Sequence, residues 1–137
     1  MSSASRTPEV LEITSSGGVV QARQLVRGLA QECRFSLVEQ TKLITAASEL
    51  ARNTLIHGGG GSMTASVVEE RGLPGVRLVF TDRGPGIADV ELALTDGWTS
   101  GGGMGLGLSG SRRLVSDFVL DSTVGQGTTV TVTKWAR

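Results

Sequence analysis

Glu49 and Asn53 stand four residues apart in a stretch with helical periodicity. That spacing puts a carboxylate and an amide on one helix face, one turn apart. A carboxylate so placed can take a proton from an attacking hydroxyl, and an amide oxygen can hold a hard cation such as Mg²⁺. Three further clusters follow: Asp82-Arg83-Gly84-Pro85-Gly86, Gly101-Gly102-Gly103-Met104-Gly105-Leu106-Gly107, and Gly125-Gln126-Gly127-Thr128. Taken singly, each is a common surface pair, turn or flexible connection. Taken together and in this order, they match what a purine nucleotide needs. The adenine amine is a donor, so its reader is an acceptor held rigidly in an apolar slot, and Asp82 suits that task. Gly84 and Gly86 let the backbone approach a flat base. Thr128 adds a hydroxyl beside the same amine. Phosphates need bare backbone N–H groups and a helix N-terminus, and the run Gly101 to Gly107 offers both. Mg²⁺ keeps several waters, so the one oxygen of Asn53 suffices as its protein ligand.

The elements that must position these residues are legible from period and breakers. Val10 to Thr14 reads as a short strand, broken by Ser15-Ser16-Gly17-Gly18. From Val19 the apolar positions Val19, Ala22, Leu25 or Val26, Leu29 and Cys33 recur every three or four residues, an amphipathic helix with Cys33 as core filler. Ser36-Leu37-Val38-Glu39 has the form of a capping box and predicts the start of a second helix. The apolar arc of that helix is Leu43, Ile44, Ala47, Leu50, Ala51 and Leu55, which leaves Glu49 and Asn53 at the edge of the buried face. His57 lies one turn further along that edge, where it suits the helix dipole, and Gly58 to Gly61 end the helix.

Met63, Ala65 and Val67 alternate with polar residues, as do Val76, Leu78 and Phe80, with a turn over Arg71 to Gly75; this predicts a hairpin. The period of two sets Asp82 on the core side, where an acid needs a partner. Asp89 to Leu94 reads as a short helix, and Asp96 to Gly103 as a loop that runs into a helix marked by Met104, Leu108, Ser111 and Val115. Phe118 to Ser122 and Thr128 to Trp135 read as strands, with Thr128, Val130 and Val132 on one face. The predicted class is α+β, a two-layer sandwich with a mixed, mostly antiparallel sheet and the helices on one face. The elements do not alternate strand and helix, so Gly103-x-Gly105-x-Gly107 is no dinucleotide-binding fingerprint.

Composition bounds the rest. The chain has 137 residues, 13 basic and 13 acidic, so no basic excess points to nucleic acid or an anionic membrane. Cys33 is alone, which excludes an intrachain disulfide and suits a reducing compartment. No apolar run reads as a signal peptide or a membrane span. The expectation is a cytoplasmic protein with a disordered leader over residues 1–8 and one domain over 9–137.

The set Glu49…Asn53, Asp82-x-Gly84-x-Gly86, Gly103-x-Gly105-x-Gly107 and Gly127-Thr128 resembles the four motif boxes of the GHKL ATPase/kinase superfamily, with its Bergerat fold, over roughly residues 10–135. Ser48-Glu49-Leu50-Ala51-Arg52-Asn53, Asp96-Gly97-Trp98-Thr99-Ser100-Gly101-Gly102 and Lys134-Trp135-Ala136-Arg137 resemble the anti-sigma-factor-related serine/threonine kinases that act as stressosome switches. The resemblance implies ATP and Mg²⁺ as cofactors. It implies Glu49 as general base, Asn53 as Mg²⁺ ligand, Asp82 and Thr128 as adenine readers, Gly86 lining the base pocket, and Gly101, Gly102, Gly103, Gly105, Leu106 and Gly107 in the phosphate-binding lid. It also implies a phosphorylatable STAS-domain partner and a phosphatase activated by binding. The chain shows no domain with a phosphoacceptor histidine and no lysine in the lid; Arg112 and Arg113 are the candidate substitutes at the γ-phosphate. Two alternatives stay open: an anti-sigma factor, and a nucleotide-stabilised switch whose output is partner capture.

Overall fold

A computed structural model of the chain describes residues 8–87, 94 and 107–136. The leader before Pro8, the short helix expected from Asp89 (Leu94 apart), the Asp96–Gly103 loop and the lid residues Gly101, Gly102, Gly103, Gly105 and Leu106 lie outside the described residues. The described elements run β1 (Glu9–Ile13), α1 (Ser16–Glu32), α2 (Leu37–Ile56), β2 (Gly61–Glu70), β3 (Leu73–Asp82), α3 (Gly107–Arg113), β4 (Asp117–Thr123) and β5 (Gly127–Trp135). The strands form one sheet in the order β1-β2-β3-β5-β4, and each of its four ladders is antiparallel. This is the expected α+β sandwich, at the antiparallel end of what was predicted.

Period and burial agree strand by strand. Met63, Ala65 and Val67 of β2, Val76, Leu78 and Phe80 of β3, and Val130 and Val132 of β5 are buried on the face that α1 and α2 cover. Ser62, Thr64 and Ser66 alternate with them on the other side. From α1 the core receives Val19, Ala22, Val26, Leu29 and Ala30, and from α2 Leu43, Ala46, Ala47, Leu50 and Ala51. A fully buried Leu, Ile or Phe contributes about 1.5–3 kcal/mol, so this shared core holds the two layers together. Cys33 is buried, as core filler should be.

Two of the boundaries that differ from expectation have a clear local reason. Helix α1 begins at Ser16 rather than Val19, because Gly18 closes a turn onto the Ser15 carbonyl and its bare Cα lies against the Glu12 carbonyl. The β2–β3 turn is shorter than Arg71–Gly75. Arg71 (φ 54°) and Gly72 (φ 78°) form a two-residue connection in the left-handed region, which matches the strand twist, and β3 resumes at Leu73. Pro74 lacks an N–H but still serves the sheet end, its carbonyl accepting from the Ala136 N–H at 2.8 Å.

Candidate active site

Across the helix-facing side of the sheet, residues fall into rows. One row is Leu11, Met63, Phe80, Val130 and Leu120, apolar throughout. The next, at the sheet's end, is Ile13, Gly61, Asp82, Thr128 and Ser122. Three polar side chains therefore lie side by side above an apolar floor. Asp82 and Thr128 are direct partners in the β3–β5 ladder, which sets the carboxylate and the hydroxyl next to each other on the core side where their period put both.

Asp82 finds the partner its position demands. Its Oδ1 accepts the Gly84 N–H at 2.8 Å, a side-chain turn that fixes the carboxylate and leaves Oδ2 with no hydrogen bond among the described residues. The glycines around it are required by the protein's own packing. A Cβ on Gly84 would stand 2.7 Å from the Gly58 Cα, and one on Gly58 would stand 2.3 Å from the Asp82 Cγ. Gly86 (φ 78°) lies against the Thr123 carbonyl, where a Cβ would come within 2.4 Å. The β4–β5 turn thus presses on the Asp82–Ile87 segment, and the Gly125 N–H donates to the Pro85 carbonyl at 2.9 Å.

Helix α2 brings the other half of the site. The Ser36 hydroxyl accepts the Glu39 N–H at 3.2 Å and starts the helix where expected. Glu49 and Asn53 are half-buried, between the buried Leu50, Ala51 and Thr54 and the exposed Arg52. The Glu49 carboxylate lies 3.6 Å from the Arg52 guanidinium. The helix ends at His57, whose side chain is exposed. The Asn53 carbonyl accepts both the His57 N–H (2.9 Å) and the Gly58 N–H (3.1 Å). Gly58 in turn touches Asp82. One residue therefore joins the turn that carries Asn53 to the carboxylate at the sheet's end.

For a cation, the test is the donor set. Asn53 offers an amide oxygen at a half-exposed position with the Glu49 carboxylate on the same face, a hard-oxygen pair that fits Mg²⁺ with waters completing its shell. No cluster of three or more His, Cys, Asp or Glu forms among the described residues, so a site there has few protein ligands. Gly107, the last lid residue, is the first residue of α3. Arg112 and Arg113 are exposed in the last turn of that helix, at the end away from the glycine run.

Three structural roles, two at the site and one away from it, escaped the sequence reading. Gly58 looked like a helix stop but also makes room for Asp82. Ser122 looked like a strand residue; the period of two on β4 puts it on the core face beside Thr128, and that was the available signal. Lys134 is the third. It shares the core face with Val130 and Val132, is buried, and meets Glu39 at 2.8 Å while donating to the Leu114 carbonyl at 3.0 Å. Glu39 therefore serves the strand rather than closing the capping box.

Residues 38–137 match the model of the histidine kinase-, DNA gyrase B- and HSP90-like ATPase family. The chain belongs to that family. It is 40% identical over 127 residues to the serine/threonine-protein kinase RsbT of Bacillus subtilis, covering 93% of this chain and 96% of that one. It is 31% identical over 121 residues to an anti-sigma F factor of Geobacillus, covering 83% of this chain and 82% of the relative. Among solved structures it superposes on the RsbU and RsbW domains of a Mycobacterium tuberculosis protein with a TM-score of 0.65 at 23% identity. That match covers 96% of this chain and a third of the longer one, and it supports the fold. No described helix is long and apolar enough to cross a membrane.

Proposed function

We propose that this protein is an ATP-dependent serine/threonine kinase that phosphorylates a STAS-domain scaffold or antagonist and works by partner switching in a bacterial stress response. The kinase class follows from the ATPase family and from the identity with a serine/threonine-protein kinase over nearly all of both chains. The observation that carries the reading at residue level is the join between the two halves of the site. Asp82 and Thr128 form a rigid acceptor pair at the sheet's end, and Gly58 ties that pair to the turn of α2 that bears Asn53, one turn beyond Glu49.

In this reading Asp82 accepts the adenine amine and Thr128 supports it, with Gly84 and Gly86 holding the wall of the base pocket. Asn53 would hold Mg²⁺, which would neutralise phosphate charge. The backbone N–H groups of the run Gly101 to Gly107 would bind the phosphates. Glu49 takes the proton from the partner's serine or threonine hydroxyl as oxygen attacks phosphorus, the O–P bond to ADP breaks, and the carboxylic acid later loses that proton to water. Phosphoryl transfer is mostly a matter of position and charge, so a half-buried carboxylate on a rigid helix suffices as base. The partner would be released once phosphorylated, leaving the kinase to bind and activate a phosphatase.

The similarity to anti-sigma F factors supports a second reading, in which a captured sigma subunit is the output. One experiment separates them. The purified protein is incubated with ATP, Mg²⁺ and a STAS-domain protein, and phosphoserine or phosphothreonine is read by mass spectrometry, beside co-purification with sigma factors. Phosphorylation of the STAS domain without sigma capture supports the kinase switch. Sigma capture with an unmodified STAS domain overturns it.

A further inference from the structure

Ser122 is the half-buried end of the polar row, and its hydroxyl makes three contacts. It lies 2.8 Å from the Ile87 N–H, 2.8 Å from the Thr128 hydroxyl and 3.2 Å from the Gly127 carbonyl. A hydroxyl donates one proton and accepts through two lone pairs. The Ile87 N–H can only donate, so Ser122 accepts there. The Gly127 carbonyl can only accept, so Ser122 donates there. The remaining contact is then a hydrogen bond only when Thr128 is its donor. This assignment alone makes all three contacts hydrogen bonds at once.

The consequence falls on Thr128. Its proton is committed inward to Ser122, so toward the pocket it offers lone pairs only. The Asp82 carboxylate also offers lone pairs only. We propose that Ser122 is a specificity-determining positioning residue: by taking the Thr128 proton, it makes the Asp82–Thr128 pair an acceptor-only reader, which selects a 6-amino purine over a 6-oxo purine. The Ile87 bond adds a second effect, since it pins the Asp82–Ile87 segment against β4. This rests on Asp82 and Thr128 forming the base pocket.

The test is calorimetric titration of the intact protein with ATP and with inosine triphosphate, which differ at the 6-position. Wild type binds ATP more tightly. Ser122→Ala frees the Thr128 proton to donate outward, so the ATP-over-ITP preference narrows by about threefold to tenfold, the scale of one hydrogen bond. Ser122→Thr, which keeps the hydroxyl, restores the preference. A general loosening would weaken both nucleotides alike and leave the ratio where it was. An unchanged ratio in folded Ser122→Ala, checked by thermal melt, overturns the proposal. Should that variant fail to fold, Ser122→Cys gives the same reading, since a thiol is a poor partner for Thr128. The pocket reading has its own control. If Asp82→Asn binds ATP as wild type does, the base pocket is elsewhere and the Ser122 role falls with it. If Asp82→Asn binds weakly while Ser122→Ala keeps its selectivity, only the Ser122 role falls.

Discussion

The two halves of the site are held in different ways. At the sheet's end, each of the three polar side chains has a fixed neighbour: Asp82 accepts the Gly84 N–H, Thr128 bonds Ser122, and Ser122 bonds Ile87 and Gly127. Glycines at 58, 84, 86 and 127 let backbone pack so close that a Cβ at any of them would collide. On α2, Glu49 and Asn53 share one helix face, half-buried, with Glu49 3.6 Å from the Arg52 guanidinium. On the proposed reading, the sheet's end would be a preformed site for a flat, amino-bearing ring, and the helix face would present the two side chains that do the chemistry.

That contrast breaks or holds under substitution. The largest effect belongs to the helix. Glu49→Ala should cut the phosphoryl-transfer rate by ~10²–10⁴, the usual worth of a general base, while ATP affinity stays near wild type. Single-turnover phosphorylation of the STAS partner beside ATP calorimetry reads both quantities. Unimpaired transfer would remove Glu49 from the chemistry. Next comes the sheet's end. Asp82→Asn puts an amide where the amine needs an acceptor, so ATP affinity should fall roughly 10- to 100-fold, at ~1.5–3 kcal/mol for a charge-assisted hydrogen bond. If the rate at saturating ATP fell instead and affinity held, the two halves would have their roles exchanged. Gly58→Ala sharpens the contrast further, because its Cβ would meet the Asp82 carboxyl at 2.3 Å. The carboxyl must rotate off the Gly84 N–H, at the ~1–3 kcal/mol typical of overpacking. ATP affinity should drop by about threefold to thirtyfold, and the melting temperature should fall by roughly a few degrees. Wild-type affinity in Gly58→Ala would mean that Asp82 does not need its present orientation.

The same contrast explains what could be read in advance. Glu49 and Asn53 were legible because helical spacing alone fixes which residues share a face. Asp82 and Thr128 were legible because period two sets both on the core side at the ends of their strands. Their direct pairing was not, since it depends on β3 and β5 being neighbours, a fact of topology that no local pattern carries. Gly58 and Gly84 were read as a helix stop and an approach to a base, whereas their closest neighbours are each other and Asp82. Glu39 shows the same limit from the other side. Ser-x-x-Glu at a helix start is a strong local signal, and half of it holds, with Ser36 accepting the Glu39 N–H. The Glu39 side chain goes elsewhere because a lysine on the core face 95 positions later needs a counter-charge, and a buried cation without one would cost several kcal/mol.

That lysine gives the smallest and most specific of the expected effects. Lys134 is buried on β5, Glu39 stands at the start of α2, and the Leu114 carbonyl follows α3; one ammonium joins all three. The hydrogen bond from Lys134 holds the Glu39 carboxyl below its ordinary value of 4.5, with the Lys134 and Lys42 charges acting the same way against some desolvation. A carboxylate whose folded value is depressed stabilises the fold above its unfolded value, and that stabilisation is lost as pH falls through the folded value. The melting temperature should therefore decline as pH drops below about 4.5, and Glu39→Gln, which cannot titrate, should lack that part of the decline. Lys134→Met should flatten it as well, by removing the cation that sets it. Because Lys134 lies six residues along β5 from Thr128 and Glu39 ten residues along α2 from Glu49, ATP selectivity at neutral pH should survive in Glu39→Gln. An acid limb as steep in Glu39→Gln as in wild type would assign acid sensitivity to other carboxylates. A lost ATP preference in that variant would show that the two-layer frame and the base pocket are not independent, and the separation between the sheet's end and the helix face would have to be redrawn.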